Sequence, residues 1–166
     1  MEKKLSSHAS AAKMIRQFMK ANGIAGSVRS SSYSMGSSIN VDVQDLLPAQ
    51  YAELKAFANQ FQYGHFDGMI DLYEYSNSRD DIPQVKFVFV NNRMSDELGE
   101  KIYQFIKGYY SGMEGAPESF KEAHSFYNKN FNDYASHLVF QLFAGGYMRN
   151  QYWESIGAVS PELEVA

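Results

Sequence analysis

The stretch Ser27-Val28-Arg29-Ser30-Ser31-Ser32-Tyr33-Ser34-Met35-Gly36-Ser37-Ser38-Ile39-Asn40-Val41-Asp42-Val43 decides what kind of fold this chain makes. Its second arm alternates, with Ile39, Val41 and Val43 on one side and Asn40, Asp42 and Gln44 on the other. That is the period-two pattern of a strand buried on one face. The first arm is weaker, with Val28 inward and Arg29 outward, and Gly36 marks the turn or a bulge. Seven serines between Ser27 and Ser38 would suit a flexible linker. A linker has no reason to run straight into an Ile-x-Val-x-Val alternation, so a hairpin is predicted.

Upstream, Ser7 or Ser10 is placed to cap a helix reaching about Asn22, with Met14, Ile15, Phe18 and Met19 on one side. Asn22-Gly23 supplies its left-handed stop. Downstream, Asp45-Leu46-Leu47-Pro48 opens a second helix, with Pro48 in its first turn and Tyr51, Leu54, Phe57, Ala58 and Phe61 as its apolar stripe. Gly64 to Asp71 reads as a turn leading into a strand over Leu72 to Tyr75, followed by a polar loop with Arg79-Asp80-Asp81. The near-continuous apolar run Val85 to Val90 predicts a central strand covered on both faces.

Ser95 caps a third helix, with Asp96 and Glu97 in the first turn, where the helix dipole favours acids. Leu98, Ile102, Phe105, Ile106 and Tyr109 form its stripe. Gly108, Gly112 and Gly115 interrupt the pattern, and Pro117 restarts it. Further helices are predicted over about 117–127 and 132–144, the latter stopped by Gly145-Gly146, with a short one around Trp153. The fold class is therefore α+β: a small antiparallel or mixed sheet of about four strands packed by helices, with a helical C-terminal part. The expected division is residues 1–93 for helix, hairpin and sheet, 94–160 for helices packed on them, and 161–166 for a flexible tail.

Composition narrows the chemistry. A chain of 166 residues with 45% hydrophobic and 15% aromatic residues has the material for a core without disulfide or metal support. Twelve Tyr stand beside twelve Phe and one Trp, and a tyrosine-rich domain can present rings at a binding surface. The absence of cysteine excludes disulfides, thiolate catalysis and cysteine-ligated metal centres. With no signal peptide or membrane span in view, the expected setting is the cytoplasm of a host cell. The net charge of −4 is uneven: residues 1–30 carry +5, residues 31–100 carry −7 and the remainder −2. A basic first helix beside an acidic middle suits a partner surface, although a solvated helix face is the plainer explanation.

No catalytic constellation emerges. His8, His65, His124 and His137 form no close pair with ligand spacing, and no His-Glu-x-x-His is present. His65 with Asp67 and Asp71 offers donors for a divalent ion, but Asp67-Gly68 is ordinary turn chemistry. The serines lack a Gly-x-Ser-x-Gly elbow, Met35-Gly36-Ser37-Ser38 lacks the Lys-Ser/Thr pair of a phosphate loop, and Ala144-Gly145-Gly146 lies at a helix end. No cofactor is expected. The acids Asp67, Asp71, Glu74, Asp80 and Asp81 suit general acid–base work, but ion pairing with Arg29, Arg79 and Lys86 is the plainer role. For nucleic acid, the first helix with Lys13, Arg16 and Lys20, plus Arg29 and Tyr33, is the one segment that mixes bases with an aromatic.

Two segments together carry a family resemblance. Ser27-Val28-Arg29-Ser30-x-x-Tyr33-Ser34-x-Gly36-Ser37-Ser38-Ile39-x-Val41 and Phe66-Asp67-Gly68-Met69-x-Asp71-x-x-Glu74-Tyr75 resemble the large polyvalent protein-associated domain family numbered twenty-nine. The preceding Ala12-Lys13-x-Ile15-Arg16 helix and the following strand Val85 to Val90 stand in the order that family shows. The resemblance covers roughly His8 to Arg93. It implies a phage, plasmid or conjugative element, and a role in helping incoming DNA survive host defences. It supplies no catalytic residues.

The resulting expectation is an accessory protein that binds and inhibits a host defence protein or complex, of the anti-CRISPR or anti-restriction kind. The binding residues would be Arg29, Tyr33, Asp67, Asp71, Glu74, Lys13 and Arg16, with Arg29 and Tyr33 meeting Asp67 and Asp71 across one sheet. The alternatives are a nucleic-acid-binding accessory domain using the first helix and hairpin, and a small enzyme using Asp67, Asp71 and Glu74. No membrane partner is expected.

Overall fold

The computed structural model describes residues 5–109, 117–124, 139 and 143. The chain divides into two compact units, Met1–Arg93 and Met94–Ala166. The first contains helix α1 (Ser7–Ala21), strands β1 (Gly26–Tyr33) and β2 (Gly36–Gln44), helix α2 (Pro48–Asn59), strands β3 (His65–Asp67) and β4 (Leu72–Glu74), and strand β5 (Phe87–Arg93). The second contains α3 (Asp96–Tyr109) and helical residues 120–124. The fold is α+β. None of the helices among the described residues is long and apolar enough to cross a membrane.

The hairpin forms as the alternation requires. β1 and β2 pair antiparallel from Gly26↔Val43 to Tyr33↔Gly36, around a two-residue turn of Ser34 and Met35. Gly36 thus pairs at the first position of β2, and the ladder runs without a bulge. β5 joins the other side of β2 in parallel, from Ser38↔Phe87 to Gln44↔Arg93, giving the order β1-β2-β5. A parallel pair needs a crossover, and α2 with the β3–β4 hairpin supplies it. The central strand is therefore β2. The expectation that Val85 to Val90 would be central and covered on both faces is not met: β5 is an end strand among the described residues. Phe87 and Phe89 made it look doubly buried, but they lie on the opposite side from Val88 and Val90, and Phe89 is exposed.

One face of this sheet is the core. Val28, Ile39, Val41, Val43 and Val88 pack with Ala11, Ala12, Ile15 and Met19 of α1 and with Leu54, Ala58 and Phe61 in and beside α2. Met14, Phe18, Tyr51 and Phe57 border the cluster, and Phe18 stacks on Phe57 with centroids 4.1 Å apart. Ser6 holds the N-cap position of α1 without a side-chain cap bond, and Gly23 takes the left-handed conformation (φ 64°) just past Asn22. Polar clamps fix the layers. The Tyr51 hydroxyl donates to the Val90 carbonyl at 2.8 Å, and the Asn92 amide both donates to the Leu46 carbonyl and accepts from its N–H.

The segment from Gly64 to Asp71 is only partly the predicted turn. His65-Phe66-Asp67 is a strand, paired antiparallel with Leu72-Tyr73-Glu74 around a turn of residues 68–71. This two-stranded sheet is separate from β1-β2-β5. Gly64 is required at its base, because a Cβ there would lie 2.0 Å from the Glu74 carbonyl oxygen.

In the second unit Ser95 caps α3 by accepting from the Leu98 N–H at 3.1 Å, as its position predicts. Leu98, Ile102 and Ile106 are buried, and so is Tyr103, whose hydroxyl donates to the Pro117 carbonyl at 2.6 Å. Most of the predicted helices over 117–127 and 132–144, all of that around Trp153 and the tail lie outside the described residues.

Candidate functional site

Alternation sends Ser27, Arg29, Ser31 and Tyr33 of β1, Ser38, Asn40 and Asp42 of β2, and Phe87, Phe89, Asn91 and Arg93 of β5 to the face turned away from the two helices. Arg29 lies opposite Asn40 and reaches diagonally to Asp42, its guanidinium donating to Oδ2 at 2.8 Å. Asn91 donates to Asp42 Oδ1 at 3.1 Å, and the Arg93 guanidinium stands 3.9 Å from the same oxygen. The Arg29 hydrogen bond, followed by that of Asn91, holds the Asp42 carboxyl below its usual pKa. Two guanidinia thus share one carboxylate, and both remain open to solvent, with side chains 74% and 76% exposed. They border an open groove of about 600 Å³ floored by Gly26, Ser27, Asp42 and Gln44.

Toward the other end of this face the chemistry becomes aromatic. Phe89 stacks on Phe87 (6.0 Å, 18°), Phe87 meets Tyr73 edge-on (5.6 Å), and Tyr73 packs with Tyr63 and Tyr75, which stack on each other at 5.5 Å. The Lys86 ammonium sits 5.2 Å from the Tyr73 ring centroid and 5.6 Å from that of Phe87. The Tyr73 hydroxyl donates to the Lys86 carbonyl at 2.5 Å, tying β4 to the approach of β5. Burial among these rings, with Tyr63 next in effect, pushes the Tyr73 hydroxyl up to about 12. Tyr63 is raised for the same first cause.

The β3–β4 hairpin presents a second surface. Phe66, Met69, Ile70 and Leu72 are exposed around its turn, Met69 at 96%. The Met69 N–H donates to Asp67 Oδ1 at 2.8 Å, so this acid builds the turn. Asp71 closes it in the left-handed region (φ 50°). His65 contacts Ser76 Oγ at 3.0 Å and the Glu74 carboxylate at 3.4 Å. Among the described residues no group of three or more His, Asp or Glu is placed to hold a metal ion.

The sequence-derived residues therefore separate. Arg29 does not meet Asp67 or Asp71, because their segment pairs with itself and β5 takes the place beside β2. Tyr33 is exposed at the turn end of β1, opposite Gly36, and lies near enough to Tyr63 and Tyr73 to disfavour their ionisation slightly. Asp67, Asp71 and Glu74 cluster at the hairpin. Arg16 donates to the Val28 carbonyl at 2.6 Å, fastening α1 to β1, while Lys13 is exposed on α1. Arg79 pairs with Asp81 in its own loop. The contributions of Phe87, Phe89 and Arg93 to the open face were missed because they sat inside or beside a strand read as buried. The signal was present in alternation with Val88 and Val90.

Comparison with curated proteins and with solved structures produced no match. Comparison with protein families matched residues 6–97, which span α1 to the start of α3 and include both surfaces, to large polyvalent protein associated domain 29. The chain belongs to the large polyvalent protein associated domain 29 family.

Proposed function

We propose that this protein acts by binding a host protein through the tip of its β3–β4 hairpin, as a counter-defence factor of a phage or mobile element. The observation that carries this reading is the cluster of exposed Phe66, Met69, Ile70 and Leu72 on one short hairpin. Water around such side chains is released when a partner covers them. Asp67 and Asp71 sit at the apolar tip, so it suits an apolar pocket rimmed by Lys or Arg, while Glu74 lies against His65 at the hairpin's base. The same acids disfavour nucleic acid or an anionic membrane at this spot. Membership of the large polyvalent protein associated domain 29 family supports a phage or mobile-element setting for this reading.

The test compares the wild-type protein with a Met69→Asp/Ile70→Asp variant. The wild type should retain a defence component from host lysate and raise infection of a defended strain over an undefended one. The variant, with an unchanged circular dichroism spectrum, should lose both effects. Equal protection by both proteins would sink the reading, as would capture that survives the double substitution.

A further inference from the structure

The open face of the β1-β2-β5 sheet has a different chemistry from the hairpin tip. Among the described residues it carries Arg29, Arg93 and Lys86 against a single carboxylate, Asp42. Phe89 is 49% exposed near its middle, and Tyr33 is exposed at the end where the rings gather. From the Ser38–Phe87 pair to the Gln44–Arg93 pair the face runs about 20 Å at the usual rise per strand residue. Planar rings with sequence-independent faces and unsaturated guanidinia along one path are what a single-stranded polynucleotide needs: bases stack on the rings, and phosphates meet the cations. Duplex DNA keeps its bases stacked internally and offers no free ring to Phe89.

We infer that this sheet face binds a single-stranded polynucleotide, with Phe89 stacking a base and Arg29 and Arg93 contacting phosphates. This site replaces α1 as the nucleic-acid surface. α1 covers the opposite face of the sheet, and its Arg16 donates to the Val28 carbonyl.

The experiment is fluorescence anisotropy of a labelled oligothymidylate of about 16 nucleotides, the upper end of a single-fold site, with the full chain at low salt. Phe89→Ala should weaken binding by about tenfold or more, and Phe89→Tyr, which keeps the ring, should restore most of it. Arg93→Gln should weaken binding and lower the salt dependence by about 0.7 in log–log slope, the value for one phosphate on a single strand. Lys13→Glu on α1 should change affinity less than twofold. The inference is overturned if the oligonucleotide does not bind, if a duplex of the same length binds as tightly, or if Phe89→Ala binds like the wild type. It is also overturned if Lys13→Glu is the substitution that abolishes binding. None of these results bears on the hairpin tip, whose substitutions lie on another sheet.

Discussion

The three-stranded sheet and the two-stranded hairpin solve the problem of an uncovered surface in opposite ways. The open face of the sheet carries rings toward one end and charges toward the other, and Arg29 and Asn91 both hold Asp42. Beneath it, Ile39 and Val41 are fully buried against two helices. Among the described residues the hairpin has no such second layer at its tip, where Met69 and Ile70 are exposed. The sheet is stabilised from below and keeps its upper face for weak, reversible contacts. The hairpin is anchored through Tyr73, which packs on Phe87 and donates to the Lys86 carbonyl, while its apolar tip is left in water. Stability and exposure are thus assigned to different strands.

The sharpest way to break this comparison is to truncate matching isoleucines. Ile39→Ala should cost about 2–5 kcal/mol in denaturant unfolding, while Ile70→Ala should stay within about 0.5 kcal/mol. Similar costs at the two sites would show that the tip is load-sharing after all. Next in size is Gly64→Ala. Its Cβ must displace the Glu74 carbonyl, at about 1–3 kcal/mol. Hydrogen exchange should rise across residues 65–74 while β1 and β2 keep their protection.

Tyr73→Phe probes the joint between the two regions. Losing its bond to the Lys86 carbonyl should cost about 1 kcal/mol and has a pH signature. The folded Tyr73 titrates near 12 against an ordinary 10.0, so in strong alkali the unfolded chain releases its proton first. Stability is therefore complete below the unfolded pKa and declines as pH rises through the folded one. The Phe variant should flatten that decline in alkaline denaturation curves, leaving the smaller part due to Tyr63. An unchanged curve would mean the hydroxyl is not held against the sheet.

The smallest effect lies at Asp42. Its folded pKa is lowered, chiefly by Arg29. Its contribution is present above the unfolded pKa and fades as pH falls through the folded value. Because the pair is solvated, the loss should be slight. Asp42→Asn should remove it from an acid titration of stability and, by releasing Arg29 and Arg93, tighten oligonucleotide binding. Weaker binding would count against the sheet-face inference.

How much of this was legible beforehand depended on whether a local rule sufficed. Ile39, Val41 and Val43 announce a half-buried strand on their own, and Ser95 and Gly23 mark helix ends by chemistry that needs no distant partner. Phe87 and Phe89 show where such rules stop. An aromatic residue in a strand reads as buried, yet an apolar side chain and a covered one are different things when the covering layer comes from elsewhere in the chain. Strand partners were hidden for a related reason. Alternation tells which residues share a face, but not which strand lies alongside, so Arg29 was matched with Asp67 when its counter-ion was Asp42, two residues past its cross-strand neighbour. Tyr103 escaped the α3 stripe because its hydroxyl needed the Pro117 carbonyl, 14 residues on, to make burial tolerable.

The parallel seam between β2 and β5 has a consequence in time. β1 and β2 meet across two turn residues, whereas the β2–β5 register joins Ser38 to Phe87, 49 positions later. Closing so long a loop is entropically slow compared with zipping a hairpin. β5 should therefore be the last strand to dock as the protein folds and the first to leave as it opens. It carries Phe89 and Arg93, so the face inferred to hold a single-stranded polynucleotide would be the final part of the sheet completed. A bound strand would then act as a clasp, slowing amide exchange in β5 more than in β1.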